Sequence, residues 1–305
     1  MDREAMSPAS AYGPTDMTET RMLETPAVTL AYDVRGPLPP ADGRPVLMMV
    51  GAPMDASGFT SLASHFGDRT VVTYDPRGVG RSTLHDGSTA QSAEQNAEDI
   101  HAIIAELGIA PVELFGSSGG AISGLALSTA YPEDVSVLVA HEPPLTGLLP
   151  DADKVAAAER AVQAVYQDKG WGHGMAAFLA MVSWKGEFTD EALAAPPPDP
   201  AAFGLPSEDD GSRDDPLLSG GSDDVTPDDL DLDALKASPV RIVVAAGVES
   251  EDLITGRTSV VLAEALGQEA AVFPGGHGGF LGGEFGQQGD PEAFAVRLRA
   301  VLDGQ

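Results

Sequence analysis

Val112-Glu113-Leu114-Phe115-Gly116-Ser117-Ser118-Gly119-Gly120 is the stretch that decides the fold. Its first four residues form a short apolar run of strand type, and the small and apolar residues 119–131 follow with the composition of a closely packed helix. Between the two, Gly116-Ser117-Ser118-Gly119-Gly120 fits G-x-S-x-G with Ser118 at the centre. That pattern is weak alone in a chain with 35 glycines. The strand before it and the helix after it supply the setting in which a sharp turn lifts a serine hydroxyl above a sheet. Glycines belong there because such a turn leaves no room for neighbouring Cβ atoms. A phosphate-binding turn is the competing reading, but the chain has no GxxxxGK[ST] sequence and no lysine near the turn. Ser117 as the reactive serine would break the glycine frame.

Outward from this stretch, strand-like and helix-like segments alternate. Residues 22–23, 28–32, 46–50 and 71–74 read as strands separated by Pro and Gly clusters. Residues 93–107 carry Ile100, Ile103, Ile104 and Leu107 on one helical face, with Gly108 as a stop. Strands at 135–140, 240–245 and 272–273 and helices at 259–266 and 291–302 complete the series. The pattern predicts an α/β fold, a mostly parallel central sheet with helices on both faces and right-handed crossovers. It breaks between 145 and 238. There, residues 151–167 and 175–184 read as helices, and the run from Pro196 to Asp231 is too polar and too rich in Pro, Gly and Asp pairs for a core element. The expected organisation is a mobile tail (1–20), an α/β core (21–144 and 239–303), and a helical cap inserted at 145–238 that ends in an acidic, mobile, solvated loop.

Seventeen basic residues against 47 acidic ones give a formal charge of -30, which repels nucleic acid and anionic membrane surfaces. Much of that charge is local: residues 186–238 hold fifteen Asp or Glu against Arg213 and Lys236. There is no cysteine, so disulfides, thiolate metal sites and a cysteine nucleophile are excluded. No signal pattern and no membrane-length apolar run is visible, and a cytoplasmic protein acting on a small molecule is the expectation. The oligomeric state is left open.

Two further segments carry a family resemblance. Asp75-Pro76-Arg77-Gly78-Val79-Gly80-Arg81-Ser82 resembles a DxRGxGxS segment, and Gly51-Ala52-Pro53 resembles an HGxP turn with Val50 where His is usual. With the G-x-S-x-G turn, they make residues 20–303 resemble an α/β-hydrolase of the epoxide-hydrolase, haloalkane-dehalogenase and cofactor-free haloperoxidase branch. Serine in place of the aspartate nucleophile disfavours dehalogenase or epoxide-hydrolase chemistry through an alkyl-carboxylate ester. Arg77 and Arg81 are expected to tie loops beneath the site.

Of six histidines, His277 is the one suited to a general base, in the glycine-rich loop Pro274-Gly275-Gly276-His277-Gly278-Gly279-Phe280 after the last predicted strand. His101 and His141 read as structural. The resemblance implies an oxyanion hole from the backbone N–H groups of Gly119 and Ala52, with Met54 either at the pocket mouth or simply in the core. The acid is the departure. Relatives commonly place Asp in a G-x-x-D turn, where this chain has Gly247-Val248-Glu249-Ser250. The resemblance offers a second location at the end of the preceding strand, and there Glu142 stands 24 residues after Ser118. Glu142 is the expected acid, with Glu249 and Asp252 as reserves. Phe178, Met181 and Trp184 are candidates to line the substrate pocket, or else ordinary cap core. No metal or organic cofactor is expected. The expected function is a serine hydrolase cleaving an ester, thioester or lactone of a small to medium apolar substrate through an acyl-enzyme. The alternatives are C–C bond hydrolysis or perhydrolysis on the same triad, and a non-catalytic ligand-binding protein of the same fold.

Overall fold

A computed structural model describes residues 18–86, 91–219 and 231–305. Among these residues one sheet of nine strands runs in the order β1-β2-β4-β3-β6-β7-β8-β9, with β5 (Thr83–Leu84) paired to β2. β1 (Thr18–Glu24), β2 (Val28–Arg35) and β4 (Val71–Tyr74) pair antiparallel, and β4 opens the parallel part through β3 (Leu47–Ala52). That part continues through β6 (Val112–Ser118), β7 (Val135–His141), β8 (Arg241–Gly247) and β9 (Ala271–Phe273). The fold class is therefore as expected. Residues 18–20 belong to β1 and are not part of a tail; the rest of the expected tail lies outside the described residues.

The sheet is covered on both faces because its strands are apolar on both. In β3, Met48 and Val50 point into one layer and Leu47 and Met49 into the other, the period-two alternation of a pleated strand. The first layer is built on α2 (Ala93–Leu107), α3 (Gly119–Ala130) and α8 (Ile254–Ala265), through residues such as Ile100, Ile122 and Leu262. The second is built on α1 (Thr60–Ser64) and α9 (Pro291–Leu302), through Leu62, Phe294 and Leu298. Helix α2 starts where Ser92 accepts a hydrogen bond from Gln95 N, and it stops at Gly108 in the left-handed conformation. Arg77 donates to Asp99 of α2 at 2.7 and 2.8 Å, and Arg81 bridges Asp33 and Asp75. Both arginines are structural ties between the β4 loop and its neighbours.

Between β7 and β8 lie α4 (Ala152–Lys169), α5 (Trp171–Val182), α6 (Asp190–Ala194) and α7 (Leu232–Ala237). α4 and α5 pack through Val162, Tyr166 and Ala177, and this cluster closes over Leu218, which is buried. Trp171 Nε1 donates to Asp215 at 2.9 Å, and the other oxygen of Asp215 accepts from Leu217 N and Leu218 N. In the described part of the expected solvated loop of residues 196–231, most residues between 201 and 214 are exposed, and Leu218 is buried near its described end. Residues 220–230 lie outside the described residues. A second cluster, with Leu149, Val155 and Phe188, seats this region on Ile254 of α8. Among the described residues no helix is long and apolar enough to cross a membrane.

Candidate active site

Parallel strands end together, and the side chains singled out in the sequence sit at the ends of β3, β6, β7, β8 and β9. Ser118 closes β6 with φ 57° and ψ -129°, a backbone conformation that costs a side-chain-bearing residue about 1–3 kcal/mol. The glycines make this turn possible. A Cβ on Gly120 would lie 2.3 Å from Val50 O, and one on Gly116 would lie 2.6 Å from Gly120 O. Strand and helix thus meet backbone against backbone, and Ser118 is held between them. Gly119, buried, is the first residue of α3, whose leading N–H groups have no partner within the helix. Ala52 lies in register with Ser118 on the neighbouring strand and is also buried. The two proposed oxyanion donors therefore flank the serine.

Glu142 follows β7 directly, at φ 50°, and is wholly buried. Its Oε1 accepts from Gly247 N at 2.8 Å, and its Oε2 accepts from Thr255 Oγ1 at 2.6 Å. His277, in the turn after β9, approaches the same Oε2 through Nδ1 at 2.8 Å. Burial alone would raise the pKa of this carboxyl. The hydrogen bond from His277 and the positive charge available on His141 and His277 outweigh burial and hold it well below the usual carboxylate range. An ionised carboxylate only accepts, so Nδ1 of His277 carries the proton and the neutral ring presents Nε2 as an acceptor. His277 is itself partly exposed. Among the described residues no hydrogen bond joins Ser118 to His277.

The reserve acids stand apart from this contact. Glu249 is exposed and is held by its backbone N–H on Gly275 O at 3.0 Å. Asp252 is exposed and offers its backbone carbonyl to Gly186 N at 2.8 Å. Ser250, where relatives would carry the acid, is fully buried, and its hydroxyl makes no hydrogen bond of ordinary geometry among the described residues. Met54 folds over Gly51 and Gly58, and packs on the second core layer. Phe178 and Met181 are partly buried and pack against the α4–α5 cluster around Tyr166 and Leu218. Trp184 is exposed, donates Nε1 to Glu187 O at 3.1 Å and lies 5.8 Å from Phe188.

Two participants were not singled out from the sequence. Thr255 holds Glu142, and nothing local to α8 marks it. His141, read as structural, is fully buried beside Glu142 with its ring 6.3 Å from that of His277. Its Nδ1 lies 3.3 Å from Ser117 Oγ, so the Ser117 hydroxyl faces the buried histidine. Burial lowers the His141 pKa from 6.5 to about 4, with the carboxylate of Glu142 opposing.

The sequence model of the alpha/beta hydrolase fold family matches residues 44–180. An uncharacterized hydrolase, YraK, of Bacillus subtilis (strain 168) is 30% identical over 271 residues, covering 85% of this chain and 89% of that protein. Among solved structures, a putative epoxide hydrolase from Pseudomonas aeruginosa superposes with a TM-score of 0.64 at 19% identity, over 94% of this chain and 95% of that one. A thermophilic esterase from Thermogutta terrifontis superposes with a TM-score of 0.61 at 19% identity, over 93% and 98%. At those identities the two structures speak for the fold alone. Similarity to YraK over most of both chains and the family match on the segment that holds Ser118 and Glu142 lead to one conclusion: the chain is a hydrolase and belongs to the α/β-hydrolase family.

Proposed function

We propose that the chain is a serine hydrolase that cleaves a carboxylic ester, thioester or lactone of a small to medium apolar substrate through an acyl-enzyme. Ser118 Oγ attacks the carbonyl carbon while its proton passes to Nε2 of His277. The carbonyl oxygen, now negative, takes the N–H groups of Gly119 and Ala52. The carbon–oxygen or carbon–sulfur bond breaks, and the leaving group departs with the proton from His277. Water then gives a proton to His277 and its hydroxide to the acyl carbon, and Ser118 leaves protonated with the free acid as product. Glu142 keeps the ring in the tautomer this requires and stabilises the imidazolium. The chemistry as read uses protein groups alone.

The observation that carries the reading is the 2.8 Å contact between Nδ1 of His277 and a buried, ionised Glu142, at the strand end beside a serine forced to φ 57°. Epoxide hydrolysis is disfavoured by chemistry. Serine opening an epoxide would leave an ether, which water activated by a histidine does not cleave, whereas an aspartate would leave a hydrolysable ester.

The test is a panel of p-nitrophenyl esters graded by acyl length, run with lactones and thioesters, and a fluorophosphonate probe as active-site label. Ser118→Ala should lose both turnover and label while keeping its circular dichroism spectrum, and Ser117→Ala should keep measurable activity. Glu142→Gln should lose several orders of magnitude in kcat, as removal of a triad carboxylate does. Hydrolysis near the wild-type rate by Ser118→Ala would end the proposal.

A further inference from the structure

We propose that Thr255 is a positioning residue for the acid, its hydroxyl fixing the buried Glu142 carboxylate so that Oε2 faces His277. This rests on the serine-hydrolase reading above and adds a residue to it. Glu142 is set in a costly place. Its backbone is at φ 50°, and its carboxylate is removed from water. A buried carboxylate needs its acceptor sites filled. Gly247 N fills one on Oε1, and Thr255 and His277 share Oε2. Of these donors, Gly247 is fixed backbone and His277 is the group to be positioned. Among the described residues Thr255 is the side chain that, besides the histidine, donates a hydrogen bond of ordinary geometry to the carboxylate.

The helix behind it is built for the purpose. Thr255 and Thr258 are three residues apart, so they share one face of α8. Thr258 Oγ1 donates to Pro143 O at 2.7 Å, gripping the backbone one residue beyond Glu142, while Thr255 grips its side chain. Ser259 Oγ returns to Thr255 O at 2.7 Å and closes the turn. Threonine suits the task because branching at Cβ restricts χ1 and aims the hydroxyl before the carboxylate is in place. Losing this donor has a specific consequence. The carboxylate then keeps only the Gly247 anchor on Oε1, and Oε2, the partner atom of the Nδ1 hydrogen bond of His277, is held less firmly.

The test compares Thr255→Val, which keeps the shape and removes the donor, with Thr255→Ser, which keeps the donor. The first readout is the rate of fluorophosphonate labelling of Ser118, a step in which the serine oxygen bonds to phosphorus, fluoride leaves and the proton goes to His277. A hydrogen bond to a charged group is worth a factor of about 10 to 150. Thr255→Val should therefore label roughly 10- to 150-fold more slowly, and Thr255→Ser within about threefold of wild type. With the best p-nitrophenyl ester, kcat should fall by a similar factor at unchanged KM. The second readout is the low-field proton resonance of His277 Nδ1, which should shift or broaden in Thr255→Val and be kept in Thr255→Ser. If Thr255→Val does not fold, Thr255→Ala is measured in the same way. A Thr255→Val or Thr255→Ala protein that labels at the wild-type rate with an unmoved resonance overturns the role of Thr255, provided Glu142→Gln is slow. A fast Glu142→Gln overturns the underlying reading instead.

Discussion

His141→Phe should flatten the acid side of the stability profile. His141 is wholly buried and is surrounded by the rings of Phe115, Phe273, Phe280 and Phe294 at 5.9, 6.0, 6.1 and 5.3 Å. Burial lowers its pKa from 6.5 to about 4 in the folded chain. The unfolded chain takes up this proton near pH 6.5 and the native chain only near pH 4, so between those values the unfolded state binds more protons. Stability then falls as pH is lowered through that window, by about 3 kcal/mol in all and about 2 kcal/mol of it above pH 5. Phenylalanine fits the same aromatic surroundings and removes the titration. It gives up a long contact to Ser117 at 3.3 Å, and it also removes Nε2, a buried atom with no partner among the described residues. Glu142 behaves in the opposite sense: its lowered pKa stabilises the fold above its unfolded value and is lost only as pH falls below the ordinary carboxylate range. The two contributions therefore separate in pH. Urea unfolding of wild type and His141→Phe at pH 7, 6 and 5 measures the first. The gap between the two proteins should move in favour of the variant by about 2 kcal/mol from pH 7 to pH 5. Parallel curves over that range would refute the reasoning.

Gly120→Ala places a Cβ 2.3 Å from Val50 O and 2.7 Å from Gly51 Cα, atoms of backbone that have no side chain to swing aside. It should cost about 3 kcal/mol and lower the melting temperature by roughly 5–10 °C, with loss of Ser118 labelling; an unchanged melt and label would show that the elbow has slack. Arg257 of α8 pairs with Asp151 and donates to Gly186 O at 2.9 Å, while Asp151 also accepts Phe188 N at 2.7 Å. Arg257→Met should free this loop, read as faster tryptic cleavage at the exposed Lys185, whereas an unaltered digestion rate would mean that Phe188 and Leu149 hold the loop without the ion pair.

What was legible in the sequence is what depends on neighbours in the chain. Alternating apolar runs announce the sheet because a strand buried on both faces must be mostly apolar, and β3 is so throughout. The G-x-S-x-G turn is legible because the residues that leave room for it stand within five positions of one another, although the backbone that excludes a Cβ at Gly120 belongs to β3. The end of α2 is legible for the same reason, since Gly108 takes a conformation that suits glycine. Thr255 was not legible. It meets Glu142 across 113 positions, and a threonine in a helix carries no mark of what it faces. The anchoring of Leu218 was hidden likewise, because two leucines in an acidic run show no period. His141 was visible as a residue but not as a neighbour of His277, since that proximity depends on β7 and β9 flanking β8.

Glu142 stands between these cases, and its backbone shows why. Among the described residues only Ser118, Glu142 and Phe285 lack the freedom of glycine yet sit at positive φ, at 57°, 50° and 54°. Two of the three close adjacent parallel strands, β6 and β7, whose last paired residues, Ser117 and His141, lie opposite each other. Such a conformation costs about 1–3 kcal/mol at each position and persists only where surrounding contacts enforce it. At Ser118 the glycines that let strand and helix meet so closely stand next to it in the chain, so the sequence displays them. At Glu142 they come from Ala245, Gly247 and Thr255, on the strand and helix that follow the 145–238 segment. A local reading therefore finds the strained turn at Ser118 directly, whereas for the glutamate it finds only a place at the end of a strand. Strain at two neighbouring strand ends, one carrying a hydroxyl and the other a carboxylate bound to a histidine, is what a site with fixed reacting groups requires and what packing alone does not.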